Sequence, residues 1–586
     1  MVHTLFHGLC HRLHARVLAG LLTLLLPAWA QAAAAPDVYL YVSPTTQAYL
    51  QSQNQAYGPI IKRWQVILKK SRRQAQTTSR EQLLAGLPSG TLILPSSVAL
   101  DEQERLAIQR FVAQGGNLLG TGLVGSRHAQ GHEAGLDFLQ STFHVQAQGF
   151  YPDSDDAFFM PFGDGPLTWP IPAGRRMPLL PAKQTVLRLK AEHVAAVAMD
   201  WSRSMDPEAN AVMAYHEAGA SRLVYFSFPD TAWPDNQDVQ LVLDASLAWL
   251  RREPMAYKAA WPNGYVASHL IEMDTEDKFP SAIYLAQQLE GEGLRGTFYC
   301  LTSEAARSPK LVHDLMARGH EIAYHADVHF GFNGDALGEQ ALRIQFMKQQ
   351  MQGILGPRTS EVTGFRAPTE SYDATTESLL YQHGLLHHAA DESASEDRLP
   401  FFSDAGGKIS VDKALVVLPR TQRDDINFQK LQFRPDQVAA NLLYDLDLTV
   451  QSGAFSLLSV HSQNYVNGGL MQLPMKDYVR KVATYKDRLW VARADELTAW
   501  WRQREPVNVS QKSLGSRLQI SVQSPAAVSG LSVFVTLPHN NAVMRVADAS
   551  STVPVHVKPI DAFRSALVFD RLTAGQTSLK VTFGAD

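Results

Sequence analysis

The stretch that decides the fold runs from residue 265 to residue 325 and reads YVASHLIEMDTEDKFPSAIYLAQQLEGEGLRGTFYCLTSEAARSPKLVHDLMARGHEIAYH. Three apolar runs typical of strands, YVASHLIEMD, GTFYCL and HEIAYH, alternate with two segments of helical apolar spacing, PSAIYLAQQLEGEG and SPKLVHDLMARG. Successive strand–helix units of this size predict a parallel (β/α) barrel over residues 255–505. Active sites of such barrels lie at the carboxyl ends of the strands, where the sequence places Asp274 and His325.

Acidic and imidazole side chains follow these strands. MDTEDKF supplies Asp274, Glu276 and Asp277, and HADVH supplies His325 and His329. The histidine spacing is H-x-x-x-H, which on one turn of helix would place the two rings side by side, ready to bind one metal ion. Three further polar residues follow later apolar runs: Arg366 in GFRAP, Asp391 in HHAADES and His461 in FSLLSVHSQ.

These five pieces, in this order, resemble the polysaccharide deacetylase (NodB-type carbohydrate esterase) family over about residues 260–504. The resemblance implies a divalent metal on Glu276, His325 and His329. Zn²⁺ is the first choice, with Co²⁺, Ni²⁺ or Mn²⁺ as alternatives. It also implies three catalytic roles: Asp274 as general base oriented by Arg366, His461 as general acid, and Asp391 steering the imidazole of His461.

Two assignments stay open at this stage. In DTED, Glu276 as base with Asp277 as metal ligand is the alternative to Asp274 with Glu276. The alternation of an extended chain favours the latter pair, because residues 274 and 276 point to the same side. The aromatic residues beside the motifs are candidates for stacking on sugar rings, with core packing as the alternative. They are Phe330, Tyr372 and Tyr465.

Residues 36–254 alternate strand-like runs such as DVYLYVS and TLILP with helical segments, which predicts an open, mostly parallel, doubly wound α/β domain. The run LILPSSVALDEQERLAIQRFVAQGGNLLGTG resembles class I glutamine-amidotransferase-like domains, which implies a flavodoxin-like fold. Active members use a cysteine nucleophile, and no cysteine stands between residues 11 and 299. We therefore expect a non-catalytic domain that docks or binds the substrate.

The two ends of the chain predict export and a small third domain. In residues 1–35, Arg12 and Arg16 precede an apolar run and an Ala-rich stretch, the pattern of a cleaved signal peptide, so we expect a periplasmic or secreted protein. That run is too short to span a bilayer, and no later run is long enough. Residues 506–586 carry short alternating runs separated by turn residues, which predict a small antiparallel β-sandwich.

Composition limits the partners. Lys and Arg total 53 against 57 Asp and Glu, a mildly acidic balance that gives no support for nucleic-acid binding. The sequence indicates no particular protein partner. The predicted function is metal-dependent removal of N-acetyl groups from an amino-sugar polysaccharide of exopolysaccharide or cell-wall type. The alternatives are an O-acetyl polysaccharide esterase and a catalytically inactive carbohydrate-binding protein.

Overall fold

The computed structural model describes residues 37–151, 158–162, 165–171, 173–180, 186–197, 210–390, 399–403, 413–514, 517–549 and 554–584. The predicted signal peptide and Asp391 lie outside these residues. The described residues form a mixed α/β protein with four β-sheets. No helix within these ranges is both long and apolar enough to cross a membrane.

The first sheet has eleven strands: β1 Val38–Tyr41, β2 Ala75–Thr78, β3 Thr91–Leu94, β4 Asn117–Thr121, β5 Val145–Phe150, β6 Phe158–Pro161, β7 Met177–Pro178, β8 Leu187–Ala191, β9 Val194–Val197, β10 Ala211–Ala218 and β11 Ser221–Phe226. Its helices are α1 Pro44–Ser52, α2 Gly58–Lys70, α3 Arg80–Ala85, α4 Glu102–Ala113, α5 Asp137–Phe143 and α6 Gln237–Leu250. The helix α4 begins with a capping box between Asp101 and Glu104.

Only half of this first sheet is parallel. Strands β2-β1-β3-β4-β11 lie side by side in this order and pair in parallel. Beyond β11 the pairing is antiparallel, because a tight turn at Gly219, with φ of 60°, joins β10 and β11 as a hairpin. The expectation of a mostly parallel sheet therefore holds for β1 to β4 and β11 alone, and the flavodoxin-like assignment stays a prediction.

The chain then forms β12 Ala256–Lys258 and enters the middle sheet of nine strands: β13 Ala267–Thr275, β14 Thr297–Cys300, β15 Glu321–Tyr324, β16 Gly364–Arg366, β17 His387–Ala390, β18 Phe401–Phe402, β19 Val416–Pro419, β20 Phe455–His461 and β21 Leu489–Val491. The helices around it are α7 Ala282–Gly291, α8 Thr302–Ala305, α9 Pro309–Ala317, α10 Leu337–Leu355, α11 Ala374–Gln382, α12 Asp425–Lys430, α13 Pro435–Ser452, α14 Gln472–Thr484 and α15 Ala494–Arg504.

The middle sheet is a curled half-barrel rather than a closed barrel. Its strands lie in the order β18-β19-β17-β16-β15-β14-β13-β20, with β21 also on β13, and the described residues of β18 and β20 do not pair to close a ring. All pairs except β18–β19 are parallel. The carboxyl ends of β13, β15, β16 and β20 therefore lie at one edge, where the predicted site residues meet.

The last strands form two four-stranded antiparallel sheets, in the orders β12-β24-β27-β26 and β22-β23-β28-β25. Their bounds are β22 Asn508–Leu514, β23 Arg517–Ser524, β24 Val528–Thr536, β25 Val543–Ala549, β26 Val555–Asp561, β27 Arg564–Leu572 and β28 Gly575–Gly584. The apolar faces of both sheets contribute to one buried cluster. Because β12 comes from residues 256–258, this part of the fold extends beyond the predicted 506–586, and the sandwich assignment stays a prediction.

Short 3₁₀ helices connect several of these elements. Those that follow β16 and β20, Pro368–Glu370 and Ser462–Tyr465, lie at the edge that carries the site. The bounds of the short helices are Asp230–Ala232, Phe279–Ser281, Gly356–Glu361, Pro368–Glu370 and Ser462–Tyr465.

Candidate metal and catalytic site

Three side chains of the types that bind metal ions converge at the carboxyl edge of the middle sheet. Oε1 of Glu276 lies 2.8 Å from Nε2 of His329 and 3.6 Å from Nε2 of His325. One ligand atom from each residue lies within 4.8 Å of the other two. His325 is buried, Glu276 is half-buried and His329 is exposed, so the group is accessible from one side. Two imidazole nitrogens and one carboxylate oxygen are a suitable donor set for a divalent transition metal.

The surrounding hydrogen bonds leave acceptor atoms available to an ion. Nδ1 of His325 lies 2.9 Å from the carbonyl oxygen of Arg366, which can only accept, so Nδ1 carries the proton and Nε2 the lone pair. Among the described residues, neither that Nε2 nor Oδ1 of Asp274 has a hydrogen-bond partner, although both are buried. Buried polar atoms normally have partners, so the residues present fit a divalent ion.

His325 and His329 lie on a loop and not on a helix. β15 ends at Tyr324, and the helix α10 begins only at Leu337. Ala326 has φ of 71°, a left-handed conformation that turns the chain directly after His325. The helical reasoning for the H-x-x-x-H pair is therefore wrong, although the loop does bring the two ring centroids to 5.6 Å.

Asp274, near the end of β13, contacts a buried arginine. Nε of Arg366 donates to Oδ2 of Asp274 at 2.9 Å, and Nη1 donates to Oε1 of Glu272 at 2.8 Å. Burial disfavours the charged guanidinium, but the carboxylates of Asp274, Glu272 and Glu370 raise the pKa of Arg366 well above its ordinary value. Burial disfavours the charged form of Glu272 too, and it raises the pKa of that carboxyl to about 8. This geometry fits an arginine that orients Asp274.

His461 ends β20 and is held by a carboxylate. Its Nδ1 donates to Oδ1 of Asp425 at 2.6 Å, while Oδ2 of Asp425 accepts from the backbone N–H of His461 and from Asn464, both at 2.8 Å. Burial disfavours the charged imidazole, but Asp425 raises the pKa of His461 to about 10. Nε2 lies 3.7 Å from Oδ2 of Asp274, so its proton faces the cleft.

Asp425 was not predicted from its sequence context. Asp391, the residue expected in this role, lies outside the described residues, and the carboxylate that contacts His461 is Asp425. The signal was an Asp-Asp pair a few residues after the apolar run ALVVLP, where α12 begins. Acidic residues are common in the first turn of any helix, so this signal did not distinguish a catalytic residue from a cap.

Contacts with both histidines determine the charge of Glu276. Burial alone would raise its pKa, but the contacts with His325 and His329 hold the pKa of the Glu276 carboxyl well below its usual range. The same contact raises the pKa of His329. Gln463 donates to the second oxygen, Oε2, at 2.8 Å, which leaves Oε1 facing the imidazoles. Glu276 is therefore an ionised carboxylate at neutral pH, as a residue that binds a metal ion must be.

These side chains line a cleft of about 510 Å³. The cleft is also lined by Ala367, Thr369, Glu370, Arg420, Asp424, Ile426, Asn427, Lys430 and Gln463. The sequence analysis did not identify Glu370 or Arg420, because single charged residues in connecting segments carry no periodic signal.

The three aromatic candidates, Phe330, Tyr372 and Tyr465, are not among the described residues that line this cleft. Tyr465 is 0% exposed and packs in the core, which contradicts stacking on a sugar. Tyr372 is half-buried, edge-on to His388, and Phe330 is 72% exposed. Stacking stays a prediction for these two. Asp277, the alternative ligand, is exposed and lies outside the ligand group.

Residues 280–387 match the family model described as Polysaccharide deacetylase. The matched stretch contains His325, His329 and Arg366. The predicted relationship to polysaccharide deacetylases is confirmed for this part of the chain. No curated protein matches.

Solved structures of three bacterial proteins are similar to the middle of the chain. A probable polysaccharide deacetylase from Pseudomonas aeruginosa PAO1 is 16% identical, over 42% of this chain and 94% of that one, with a TM-score of 0.36. The family 4 carbohydrate esterase from Streptomyces lividans, in complex with acetate, is 16% identical, over 40% and 93%, with a TM-score of 0.28. A CE4 family pseudoenzyme from Bacillus anthracis is 10% identical, over 40% and 65%, with a TM-score of 0.29.

Proposed function

We propose that this protein is a secreted, divalent-metal-dependent deacetylase that removes N-acetyl groups from an amino-sugar polysaccharide of exopolysaccharide or cell-wall type. The observation that carries the proposal is the convergence of Glu276, His325 and His329 beside Asp274 and His461 in one open cleft. The match of residues 280–387 to the polysaccharide deacetylase model supports an acetylated polysaccharide as the substrate.

The reaction is hydrolysis of the amide bond between the acetyl carbon and the sugar nitrogen. A divalent ion held by Glu276, His325 and His329 would supply Lewis-acid chemistry, lowering the pKa of a water molecule and polarising the acetyl carbonyl. Asp274, oriented by Arg366, accepts the proton of the attacking water through its unpartnered Oδ1. His461 donates the proton on Nε2 to the departing nitrogen, so the products are acetate and a free amine.

The protonation of His461 is consistent with the role of the acid. Asp425 accepts the hydrogen bond from Nδ1–H and raises the pKa of His461 to about 10. The imidazole is therefore protonated at neutral pH and carries its second proton on Nε2, 3.7 Å from Asp274. The base and the acid face each other across the same space, as hydrolysis of an amide requires.

The ligand set favours Zn²⁺ as the resident ion, because two imidazoles and one carboxylate form the donor set of many catalytic zinc sites. Co²⁺, Ni²⁺ and Mn²⁺ accept the same donors and are the alternatives. Neutral imidazoles bind metal, so metal affinity should weaken as the histidines become protonated at low pH.

One incubation tests the function. The purified protein, loaded with Zn²⁺, is incubated with N-acetylated and O-acetylated oligosaccharides, and acetate and free amine are quantified separately. We expect equal amounts of acetate and amine from the N-acetylated substrate. Acetate without amine, released from the O-acetylated substrate alone, would instead indicate an esterase, and no acetate from either substrate would contradict both.

Two histidines that flank β15, His320 and His325, provide a matched control. His325→Ala should lose bound metal and reduce activity by more than about 10²-fold, since changes of mere outer-sphere partners already cost 10–100-fold. His320, at the opposite end of the same strand, contacts Glu290 at 3.0 Å, and His320→Ala should keep the metal and the rate. A His325→Ala protein with full metal content and full activity would contradict the ligand assignment.

We also propose export through the N-terminal signal pattern, with the N-terminal domain acting in polymer binding rather than catalysis. The basic residues followed by an apolar run support the first point. The lack of any cysteine between residues 11 and 299 supports the second.

A further inference from the structure

The guanidinium of Arg366 is held by three carboxylates, one on each nitrogen. Nε binds Asp274 at 2.9 Å, Nη1 binds Glu272 at 2.8 Å, and Nη2 binds Glu370. The side chains of Arg366 and Glu272 are 2% and 0% exposed. A guanidinium bound on all three nitrogens cannot rotate without breaking several charge-assisted hydrogen bonds. The position of Asp274 therefore depends, through this arginine, on Glu272 and Glu370.

Glu370 is held in turn by a second arginine. Nε and Nη2 of Arg420 donate to the two oxygens of Glu370 at 3.0 and 3.2 Å, a two-point contact. Nη1 of Arg420 lies 3.8 Å from Oδ2 of Asp424. Asp424 is the N-cap of α12, and its side chain accepts from the backbone N–H of Asn427. The first residue of that helix is Asp425, which holds His461.

The contacts thus form a continuous chain from the base to the acid. It runs Asp274, Arg366, Glu370, Arg420, Asp424, and then through the peptide bond to Asp425 and His461. Both Glu370 and Arg420 line the cleft, with side chains 18% and 6% exposed. Solvent screens so buried a pair only weakly, which allows it to fix geometry.

The backbone at Glu370 is strained. Thr369 and Glu370 have φ of 54° and 55°, and they are the only two consecutive non-glycine residues with positive φ among the described residues. A β-branched residue rarely adopts this conformation. Strain of this kind persists where surrounding contacts require it, commonly beside a functional site. Here it turns the side chain of Glu370 between two arginines.

We propose that Glu370 and Arg420 are positioning residues that set the geometry of the general base and the general acid together. The inference rests on the proposed deacetylase function. Neither residue transfers a proton. Glu370 acts through Arg366 on Asp274, and Arg420 acts through Asp424 and α12 on the Asp425–His461 pair.

Steady-state kinetics of three variants test the proposal: Glu370→Gln, Arg420→Gln and the double variant. A misplacement of about 1 Å costs on the order of 10²-fold in rate, so each single variant should lower kcat by about 10- to 100-fold with KM and metal content unchanged. The double variant should lose about as much as one single variant, because the two residues act as a unit.

A buried histidine–glutamate contact at the other end of the strands serves as the control for destabilisation. Nε2 of His387 contacts Oε1 of Glu321 at 2.9 Å, with side chains 0% and 3% exposed. These residues begin β17 and β15, far along the strands from the cleft. His387→Gln should lower Tm without lowering kcat, whereas the Glu370 and Arg420 variants should lower kcat beyond any change in Tm.

Two kinetic results would overturn the proposal. An increase in KM with unchanged kcat would mean that Glu370 binds substrate. Recovery of kcat in the double variant would mean that only an unpaired charge mattered, and not position. Crystal structures of wild type and Glu370→Gln decide the question without activity: we expect a shift of the Asp274 carboxylate, and unchanged positions of Asp274 and Asp425 would refute the inference. Absence of acetate release by wild type would instead count against the proposed function.

Discussion

The first and the middle sheets each place a buried aspartate at the carboxyl ends of parallel strands, and the two aspartates have different surroundings. In the first sheet, Asp230 accepts hydrogen bonds from Ser96, Thr121 and Trp64 at 2.6, 2.8 and 2.7 Å. It is 1% exposed, and burial raises its pKa. Both oxygens of Asp230 have donors, so its contacts join β3, β4 and α2 and serve the fold.

Asp274 in the middle sheet is as deeply buried but only half satisfied. One oxygen binds Arg366, while the other, Oδ1, is without a hydrogen-bond partner among the described residues and lies 3.9 Å from Nδ1 of His325. A buried polar atom without a hydrogen bond is costly in free energy. Its presence beside a cleft therefore indicates a site for a ligand or a reaction. A buried carboxylate alone does not mark function. The completeness of its hydrogen bonds separates the two sheets.

Matched substitutions of the two aspartates should have opposite effects, and this is the largest difference that we expect. Asp274→Asn should lower kcat by about 10²- to 10⁴-fold, the usual contribution of a general base, with metal content and fold retained. Asp230→Asn should instead cost about 1–3 kcal/mol of stability, because an amide group replaces an acceptor of several hydrogen bonds. Acetate release and thermal unfolding of both variants make the measurement.

The comparison between the sheets would fail if the effects were exchanged. A rate loss of 10²-fold or more in Asp230→Asn, measured below its unfolding temperature, would place chemistry in the first sheet. Full activity of Asp274→Asn would remove the base assignment.

The contribution of His461 to the free energy of unfolding should depend on pH. Asp425 raises the pKa of His461 to about 10, above the ordinary histidine value of about 6.5. The protonated imidazole therefore stabilises the folded, metal-free protein fully below about pH 6.5, and this contribution is lost as the pH rises through about 10. We expect the difference in free energy of unfolding between wild type and His461→Gln to shrink from pH 6 to pH 10, in the presence of a chelator.

Urea unfolding of both proteins at pH 6, 8 and 10 checks this dependence. A difference that stayed constant across the range would mean that His461 does not change its charge in that window. Asp230→Asn serves as the comparison, because it leaves the His461 pair intact and should retain the wild-type contribution of that pair at each pH.

The positions of strand ends could be predicted from the sequence, and the loop geometry could not. Apolar runs that stop at a polar residue, as β13 does near Asp274 and β20 does at His461, reveal which side chains reach the carboxyl edge of a parallel sheet. No residue pattern indicated that Ala326 would take a left-handed conformation, so the contact between His325 and His329 was expected for the wrong reason.

Partners that come from distant segments were also beyond the sequence. The Asp425–His461 contact joins residues 36 positions apart, and the Arg420–Glu370 contact joins residues 50 positions apart. The periodicity of apolar residues does not reveal such pairs, since they depend on how distant segments pack, as α12 does beside β20. The antiparallel half of the first sheet was missed for a related reason: its short strands pair through hairpins, which their apolar pattern does not distinguish from strands joined by crossovers.

The smallest effect is expected at Asp277, next to a metal ligand in the chain. β13 ends at Thr275, Glu276 faces the histidines, and Asp277 is exposed and outside the ligand group. Exposed charges contribute little and are screened by salt, so Asp277→Asn should leave metal content and kcat within about twofold of wild type. Glu276→Gln is the matched change, and it should weaken metal binding because an amide oxygen is a poorer ligand than a carboxylate.

Metal analysis and acetate release on these two variants and Asp274→Asn distinguish the two assignments of base and metal ligand within DTED. Loss of metal in Asp277→Asn, together with full activity of Asp274→Asn, would establish Glu276 as the base and Asp277 as the ligand, since only that pairing removes Asp274 from the chemistry.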